Sequence, residues 1–428
     1  MTFINRTATL YYDQYENLCS FLLNQNDLIS VNFEKTTETS EKDVIVEDAS
    51  LEYDVTVDAD GKVYVFCQKN DGTLLLLTKK DGEWDRSILA GKSEIKIYNA
   101  NILVTDENVH IFYCTPSKEN EKVYRIYHHM FHENQWKTFQ VEDIACKNLL
   151  NPFQLSVYGD RIILGYYHLL QHNEQIFMKT FHLENHEWGG REQLTYDNNY
   201  KLYLDMLYTK NEEFHIAFSQ YIEGNLEIRH EKFRIRDGKP VKVAENVVSN
   251  LANCSYPTMV AFNKKLWIIW TEYDQIVSVF TNDSGSNWSL PYQWRESKEK
   301  LFMRYKFITN QQELKKTYRM NYSFGKEFPE CTFMGFGSLD GAVEMPLKAK
   351  KKDSERKVSA MEVREDKIQE SVNTPIKQEP VSMPIKQEEI PIDSVAVLEK
   401  RMTDLDERLT EIENYINRRR RGLFGHRG

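Results

Sequence analysis

Apolar and polar positions alternate along this chain in short runs that return at a nearly constant interval. Runs dense in Val, Ile, Phe, Tyr and Trp begin at Val63 ("VYVFC"), Val109 ("VHIFYC"), Arg161 ("RIILGYY"), Phe214 ("FHIAFSQY"), Leu266 ("LWIIWTEY") and Thr317 ("TYRMNYSF"), 46 to 53 residues apart. Each is too short for a helix and has the β-branched and aromatic content of a strand. A run such as "FQLSVYGDR" precedes it and closes on turn residues, and a third such as "IFMKTFHL" (Ile176 to Leu183) follows. Three or four short strands per unit, repeated, predict an all-β propeller. Six units begin near Leu51, Asn101, Asn151, Lys201, Ser255 and Leu301, and the first forty residues ("TLYYDQ", "LCSFLL", "DLISVNFE") repeat the same order. The pattern therefore predicts six or seven blades. The N-terminal unit either makes a seventh blade or completes the last one, and seven is the preferred count. No amphipathic helical stretch separates the strands, which excludes a parallel α/β fold.

A tryptophan follows the third strand of several units. Trp84, Trp136 and Trp188 lie 52 residues apart, and Trp288 comes 100 later. Two packed β-sandwiches would not require that interval, and burial of all four at equivalent positions is expected. Around Trp288 the chain reads "FTNDSGSNWSLP", with Thr281, Asp283, Gly285 and Trp288 in fixed spacing. The physical content is a tight turn in which an Asp side chain caps backbone N–H groups and a Gly takes a left-handed conformation. This motif resembles the Asp box (BNR repeat) of sialidase-like β-propellers, where it joins the third and fourth strands of a blade.

That resemblance raises the question of catalysis. Sialidases hold a substrate carboxylate with three Arg, the first from an Arg-Ile-Pro motif, and use a Tyr activated by a Glu as nucleophile with an Asp as acid/base. The nearest string here is "FRIRDG", Phe233 to Gly238, with Arg in place of Pro and a position at the end of a middle third strand. No catalytic residue carries over, and the resemblance implies a non-catalytic member. The alternative is a glycoside hydrolase with relocated groups, for which Asp54 and Asp205 on innermost strands are a carboxylate pair to consider. His128, His129 and His132 fall on one strand, where neighbours point to opposite faces and cannot converge on a metal. No phosphate-binding glycine loop, nucleophile elbow or HExxH motif is present. The expectation is a recognition or scaffold protein with no cofactor and no metal. Its glycan or peptide ligand is placed at the channel mouth, lined by Tyr53, Tyr158 and Tyr203.

Composition changes sharply near residue 340. The expected organisation is a propeller over 1–340, a charged Pro-containing linker over 341–394, a helix over 395–421 and a basic tail over 422–428. The linker cannot bury enough apolar surface to offset chain entropy. It contains a duplication, "PIKQE" at Pro375 and again at Pro384, in which Lys377 and Lys386 resemble acceptors for a small ubiquitin-like modifier; an expanded spacer is the simpler reading. Val395, Leu398, Met402, Leu405, Leu409, Ile412 and Ile416 are spaced 3, 4, 3, 4, 3, 4, a heptad seam. Arg401 and Arg408 at g then face Asp406 and Glu413 at e, which favours a parallel dimer or trimer over docking on the protein's own body. Arg418, Arg419, Arg420 and Arg421 either complement the helix C-terminus or contact a polyanion.

The net charge of −10 argues against a broad nucleic-acid-binding face. Six Cys without a CxxC pair fit reduced thiols, and the absence of an N-terminal apolar run or membrane span gives a cytoplasmic expectation.

Overall fold

The computed structural model describes residues 2–348 except 35–38, 81, 106–107, 121, 148, 211–212 and 327–330. The heptad seam, the basic tail and the linker beyond 348 lie outside the described residues. The described chain forms six antiparallel sheets, apart from one parallel pairing noted below. Blades 2, 3 and 5 are consecutive four-stranded meanders whose innermost strands are Ala49–Val57, Tyr98–Thr105 and Lys201–Lys210. Blade 4 starts on Phe153–Tyr158 and ends in two short pieces, Glu187–Trp188 and Glu192–Gln193, both paired with its third strand. Blade 6 starts on Cys254–Phe262.

Blade 1 answers the question of blade number. Phe3–Tyr12 heads a meander that runs out to Thr39–Val46, but its inner edge pairs in parallel with Phe302–Thr309, which carries Tyr322–Lys326 and Phe333–Met334 beyond it. The N-terminal unit and the last unit therefore share one seven-stranded sheet, and the count is six. The run "TYRMNYSF" is also divided: Arg319–Met320 pairs with Val260 and Ala261 of blade 6, whereas Tyr322–Lys326 belongs to blade 1. Ala342–Glu344 adds to blade 6 beside Tyr292–Trp294, so the sheet extends past the boundary expected at residue 340.

The six sheets close into a ring, and each seam between innermost strands is stapled by a side chain. Lys306 of blade 1 pairs with Asp54 of blade 2, and Asp54 Oδ2 accepts the Ile102 N–H of blade 3 at 2.8 Å. Asn99 donates to the Phe153 carbonyl of blade 4 and Asn151 to the Leu204 carbonyl of blade 5, both at 2.9 Å. Asp205 accepts the Met259 N–H of blade 6 at 2.7 Å, and Thr258 donates to the Tyr322 carbonyl of blade 1 at 2.8 Å. This is a six-bladed β-propeller.

Both faces of a blade press on its neighbours, which explains apolar runs in which polar and apolar residues do not alternate. Phe214 to Gln220 of the second strand in blade 5 are buried at every position. The core lies in wedges between blades: Phe112 and Ile126 of blade 3 meet Phe153, Ile162 and Tyr166 of blade 4. Ile228 and Val248 of blade 5 meet Met259, Ile268 and Trp270 of blade 6.

The repeating tryptophans divide. Trp84, Trp136 and Trp188 sit opposite Lys79, Phe131 and Phe181 on their third strands, in equivalent hairpin positions. None is fully buried, contrary to expectation, and Trp136 is 40% exposed. The fully buried indoles are Trp267 and Trp270, in the apolar run of blade 6. A residue at the rim of a hairpin covers the edge of a wedge, whereas a second-strand residue fills its centre.

All six cysteines are unpaired. Among the described residues, no helix is long and apolar enough to cross a membrane, and no group of three or more His, Cys, Asp or Glu could hold a metal ion.

Candidate functional site

Several innermost strands begin with a bulge. Asn99, Tyr203 and Tyr256 adopt φ of +57°, +57° and +55°, and the pairing register slips beside each. A left-handed residue inside a strand turns its side chain out of the alternation. In blades 5 and 6 the bulges bring two phenols together at one end of the channel: the Tyr203 and Tyr256 rings are 4.3 Å apart, and the Tyr256 hydroxyl donates to Asn5 at 3.1 Å. Burial raises the ionisation of Tyr203 well above that of a free phenol, so it stays neutral.

Asn5 is part of the wall of an axial cavity of about 440 Å³, open where the innermost strands start. Its polar lining is supplied mainly by amides and hydroxyls, among them Asn99, Asn151, Gln154 and Thr7, with Tyr53 on one side. Arg304 and Lys306 of blade 1 also line it. The Arg304 guanidinium lies 3.9 Å from the centre of the Tyr322 ring, and its buried Nε has no hydrogen-bond partner among the described residues. A buried donor without a partner is costly to fold, and ligand sites are where such groups collect.

The carboxylates of the cavity are already engaged. Lys306 Nζ lies 2.8 and 2.6 Å from the two oxygens of Asp54, which also accepts the Ile102 N–H. Glu52 accepts the Ala100 N–H at 3.0 Å; burial raises its pKa, and the backbone donors at Ala100 and Asn99 oppose that rise. Asp205, which is not part of the cavity lining, accepts the Met259 N–H and the Asn321 amide, and burial raises its pKa too. Asp54 and Asp205 thus serve as seam staples, and neither presents a free oxygen pair of the kind a glycosidase needs.

Of the three tyrosines expected at the channel mouth, Tyr53 lines the cavity, its hydroxyl donating to the Thr7 carbonyl at 3.1 Å. Tyr203 reaches the rim through Tyr256. Tyr158 does not join them. It sits in register with Arg161 at the far hairpin of its strand, stacked on Tyr208 at 4.9 Å. All innermost strands run the same way, so a residue at the end of one belongs to the opposite face of the ring.

The turn around Trp288 has the hydrogen bonding its composition calls for. Asp283 Oδ1 accepts the Ser286 and Asn287 N–H groups at 3.0 and 2.9 Å and the Thr281 hydroxyl at 2.6 Å. Those donors hold the Asp283 carboxyl far below the usual range. Gly285 has φ +84°, and a Cβ there would stand 2.7 Å from His230. Trp288 packs on the wedge between blades 5 and 6, so this turn is part of the scaffold. In the string at Phe233, Arg234 is ion-paired with Glu213 and peripheral. His128, His129 and His132 bond to three different partners, His110, Tyr113 and Asn108.

Arg304, Asn99 and Tyr256 were not legible as site residues. The available signal was a second period: Asn99, Asn151, Tyr203 and Tyr256 lie 52, 52 and 53 residues apart.

No protein-family model matches the chain, and no curated protein matches it. Among solved structures, it is similar to the Aleuria aurantia lectin, described as a fungal six-bladed β-propeller with a novel fucose recognition mode. That match has 12% identity and a TM-score of 0.41, covering 67% of this chain and 93% of the lectin. AofleA from Arthrobotrys oligospora matches at 11% identity and a TM-score of 0.40, covering 70% and 86%. A protein from Lactobacillus plantarum matches at 13% and 0.41, covering 68% and 83%.

Proposed function

We propose that this propeller is a non-catalytic recognition protein whose axial cavity binds a polyhydroxylated ligand of the glycan class. The supporting observation is the wall chemistry. The wall holds a buried acceptor, Asn151 Oδ1, and a buried donor, Arg304 Nε, neither with a hydrogen-bond partner among the described residues, and together they suit the donor and acceptor of hydroxyl groups. The cavity volume of about 440 Å³ is in the range of small-ligand sites. A peptide would need main-chain partners or an open strand edge, and the innermost strands are stapled to one another. The carboxylates, bound internally, support recognition over hydrolysis. The resemblance of the Trp288 turn to an Asp box is compatible with a propeller that keeps this scaffold turn without the enzymes' chemistry.

A glycan array probed with the purified chain, followed by calorimetric titration of any hit, tests this reading. Arg304→Met is expected to weaken binding by about tenfold, the value of one good hydrogen bond to a charged or buried group. Silence on the array together with binding to a peptide library, or turnover of an aryl-glycoside panel, would overturn it. The heptad residues Val395 to Ile416 fit a stalk that gathers several heads and raises avidity. Sedimentation equilibrium of the full chain beside a truncation after Ser394 tests that part separately.

A further inference from the structure

Two of the six blades carry the same Thr–His–His chain at the same place, closed by an indole of the next blade in one and by an amide of the same blade in the other. In blade 3, Thr105 Oγ1 lies 2.7 Å from His110 Nε2, and His110 Nδ1 lies 3.0 Å from His128 Nε2. Trp188 Nε1, from blade 4, donates to His128 Nδ1 at 3.3 Å. In blade 5, Thr209 Oγ1 lies 3.0 Å from His215 Nε2, and His215 Nδ1 lies 2.9 Å from His230 Nε2. Asn246 Nδ2 then lies 3.4 Å from His230 Nδ1. Both imidazole pairs have ring centroids 5.2 Å apart at 23°. All four rings are fully buried, and an indole of the following blade crosses the second ring of each pair, Trp188 over His128 and Trp288 over His230.

These contacts fix the protons. An indole N–H can only donate, so His128 Nδ1 accepts and its own proton sits on Nε2. That proton is given to His110 Nδ1, which leaves the His110 Nε2–H for the Thr105 hydroxyl oxygen. In blade 5 the Asn246 nitrogen also donates to the Gly285 carbonyl at 3.2 Å, so it is the amide donor and the same order follows. Every ring accepts on Nδ1 and donates from Nε2. A second proton on any of them must enter an Nδ1 that already receives an N–H, and one bond of the chain then breaks.

No carboxylate is among the groups acting on His110, His128 or His230. Around His110 and His128 lie Phe112, Phe139 and Phe181, with His186 on the loop before Trp188 and His129 turned to Tyr113 and Thr138. Beside His230 the charged neighbour is Lys232, held by Glu213, which is also bound by Arg234. The charged neighbours acting on His110, His128 and His230 from outside the pairs, His186, His129 and Lys232, are all bases.

We propose that the two histidine pairs are acid-operated latches, which hold the seams between blades 3 and 4 and between blades 5 and 6 closed while neutral; protonation breaks the His128–Trp188 bond in the first and the His230–Asn246 bond beneath the Trp288 turn in the second. Burial pushes His110 down to about 4 and holds His128 and His230 well below the ordinary histidine range. The sign follows from linkage. The unfolded or opened chain takes protons from about pH 6.5 downward while the closed form does not, so the latch is fully effective above about 6.5 and is lost as pH falls toward the folded-state value. The seam between blades 1 and 2 is held instead by Lys306 and Asp54.

The test uses the full chain labelled with 5-fluorotryptophan, its resonances assigned by single Trp→Phe replacements and followed by ¹⁹F NMR from pH 7.5 to 4. Trp188 and Trp288 are expected to shift together at a pH above that at which the core residues Trp267 and Trp270 respond. In His128→Leu the Trp188 response should vanish while that of Trp288 remains. Four unchanged resonances down to a single global transition, or a Trp188 response unaltered in His128→Leu, would overturn the latch. If that variant fails to fold, imidazole ¹⁵N spectra of the unmodified chain at pH 7 decide: four neutral Nε2–H rings support it, and a charged or Nδ1–H ring sinks it.

Discussion

Lys306 and Asp54 lie 252 residues apart in sequence, yet Lys306 Nζ stands 2.8 and 2.6 Å from the two oxygens of Asp54. The contact joins the composite blade to the first complete one, in the wall of the axial cavity. Removing one partner leaves a buried charge uncompensated, which typically costs about 3–5 kcal/mol. Lys306→Met is therefore expected to lower stability by about that much in urea unfolding. The double variant Asp54→Leu with Lys306→Met should recover most of the loss. Equal destabilisation by the single and double variants would show that the pair does not hold the seam.

Gly285 is constrained twice, by a φ of +84° and by His230, whose Cε1 would lie 2.7 Å from an added Cβ. Strain in the left-handed region and overpacking together predict a loss of about 3 kcal/mol for Gly285→Ala. Gly238, with φ +77° and nothing within reach of a Cβ, separates the two effects. Gly238→Ala should cost about 1 kcal/mol. Similar losses at both sites would remove the role given to His230.

Glu174 is 2% exposed, and burial raises its pKa to about 7 despite the Lys147 N–H at 3.0 Å. A carboxyl raised in the fold binds its proton more tightly there than when unfolded. Its contribution is complete below about pH 4.5 and is lost as pH rises through 7. Glu174→Gln should thus match the parent near pH 4.5 and exceed it by about 3 kcal/mol at pH 8, the free-energy equivalent of that shift. A stability difference that does not change with pH would contradict a protonated Glu174.

The tryptophans should rank by burial and not by their place in the period. Trp136, at 40% exposed, is expected to lose about 1 kcal/mol on replacement by Ala, and Trp267, at 1%, about 3–5 kcal/mol. Thermal unfolding of the two variants at one pH tests the order. A reversal would mean that the hairpin indoles carry the wedges.

The repeat was legible because each blade must bury both faces of its middle strands, and this writes the same apolar run into the chain every 46 to 53 residues. Trp84, Trp136 and Trp188 likewise marked equivalent hairpins, since a large ring at a turn packs on the strand it follows. The turn at Thr281 to Trp288 could be read down to its hydrogen bonds, because all its partners lie within a few residues. Contacts between distant segments left no such trace. Parallel pairing of Phe3–Tyr12 with Phe302–Thr309 reduced seven apparent units to six blades, and backbone hydrogen bonds between segments so far apart carry no local pattern. The cavity was hidden for the same reason. Tyr53 and Tyr158 look alike in sequence, but strand polarity sends them to opposite ends of the channel. Arg304 reads as an ordinary charged residue until the ring closes and leaves its Nε without a partner. Local chemistry and periodicity are properties of a segment and can be read from it. Seam partners, protonation order in the histidine pairs and the walls of the cavity exist only where distant segments meet.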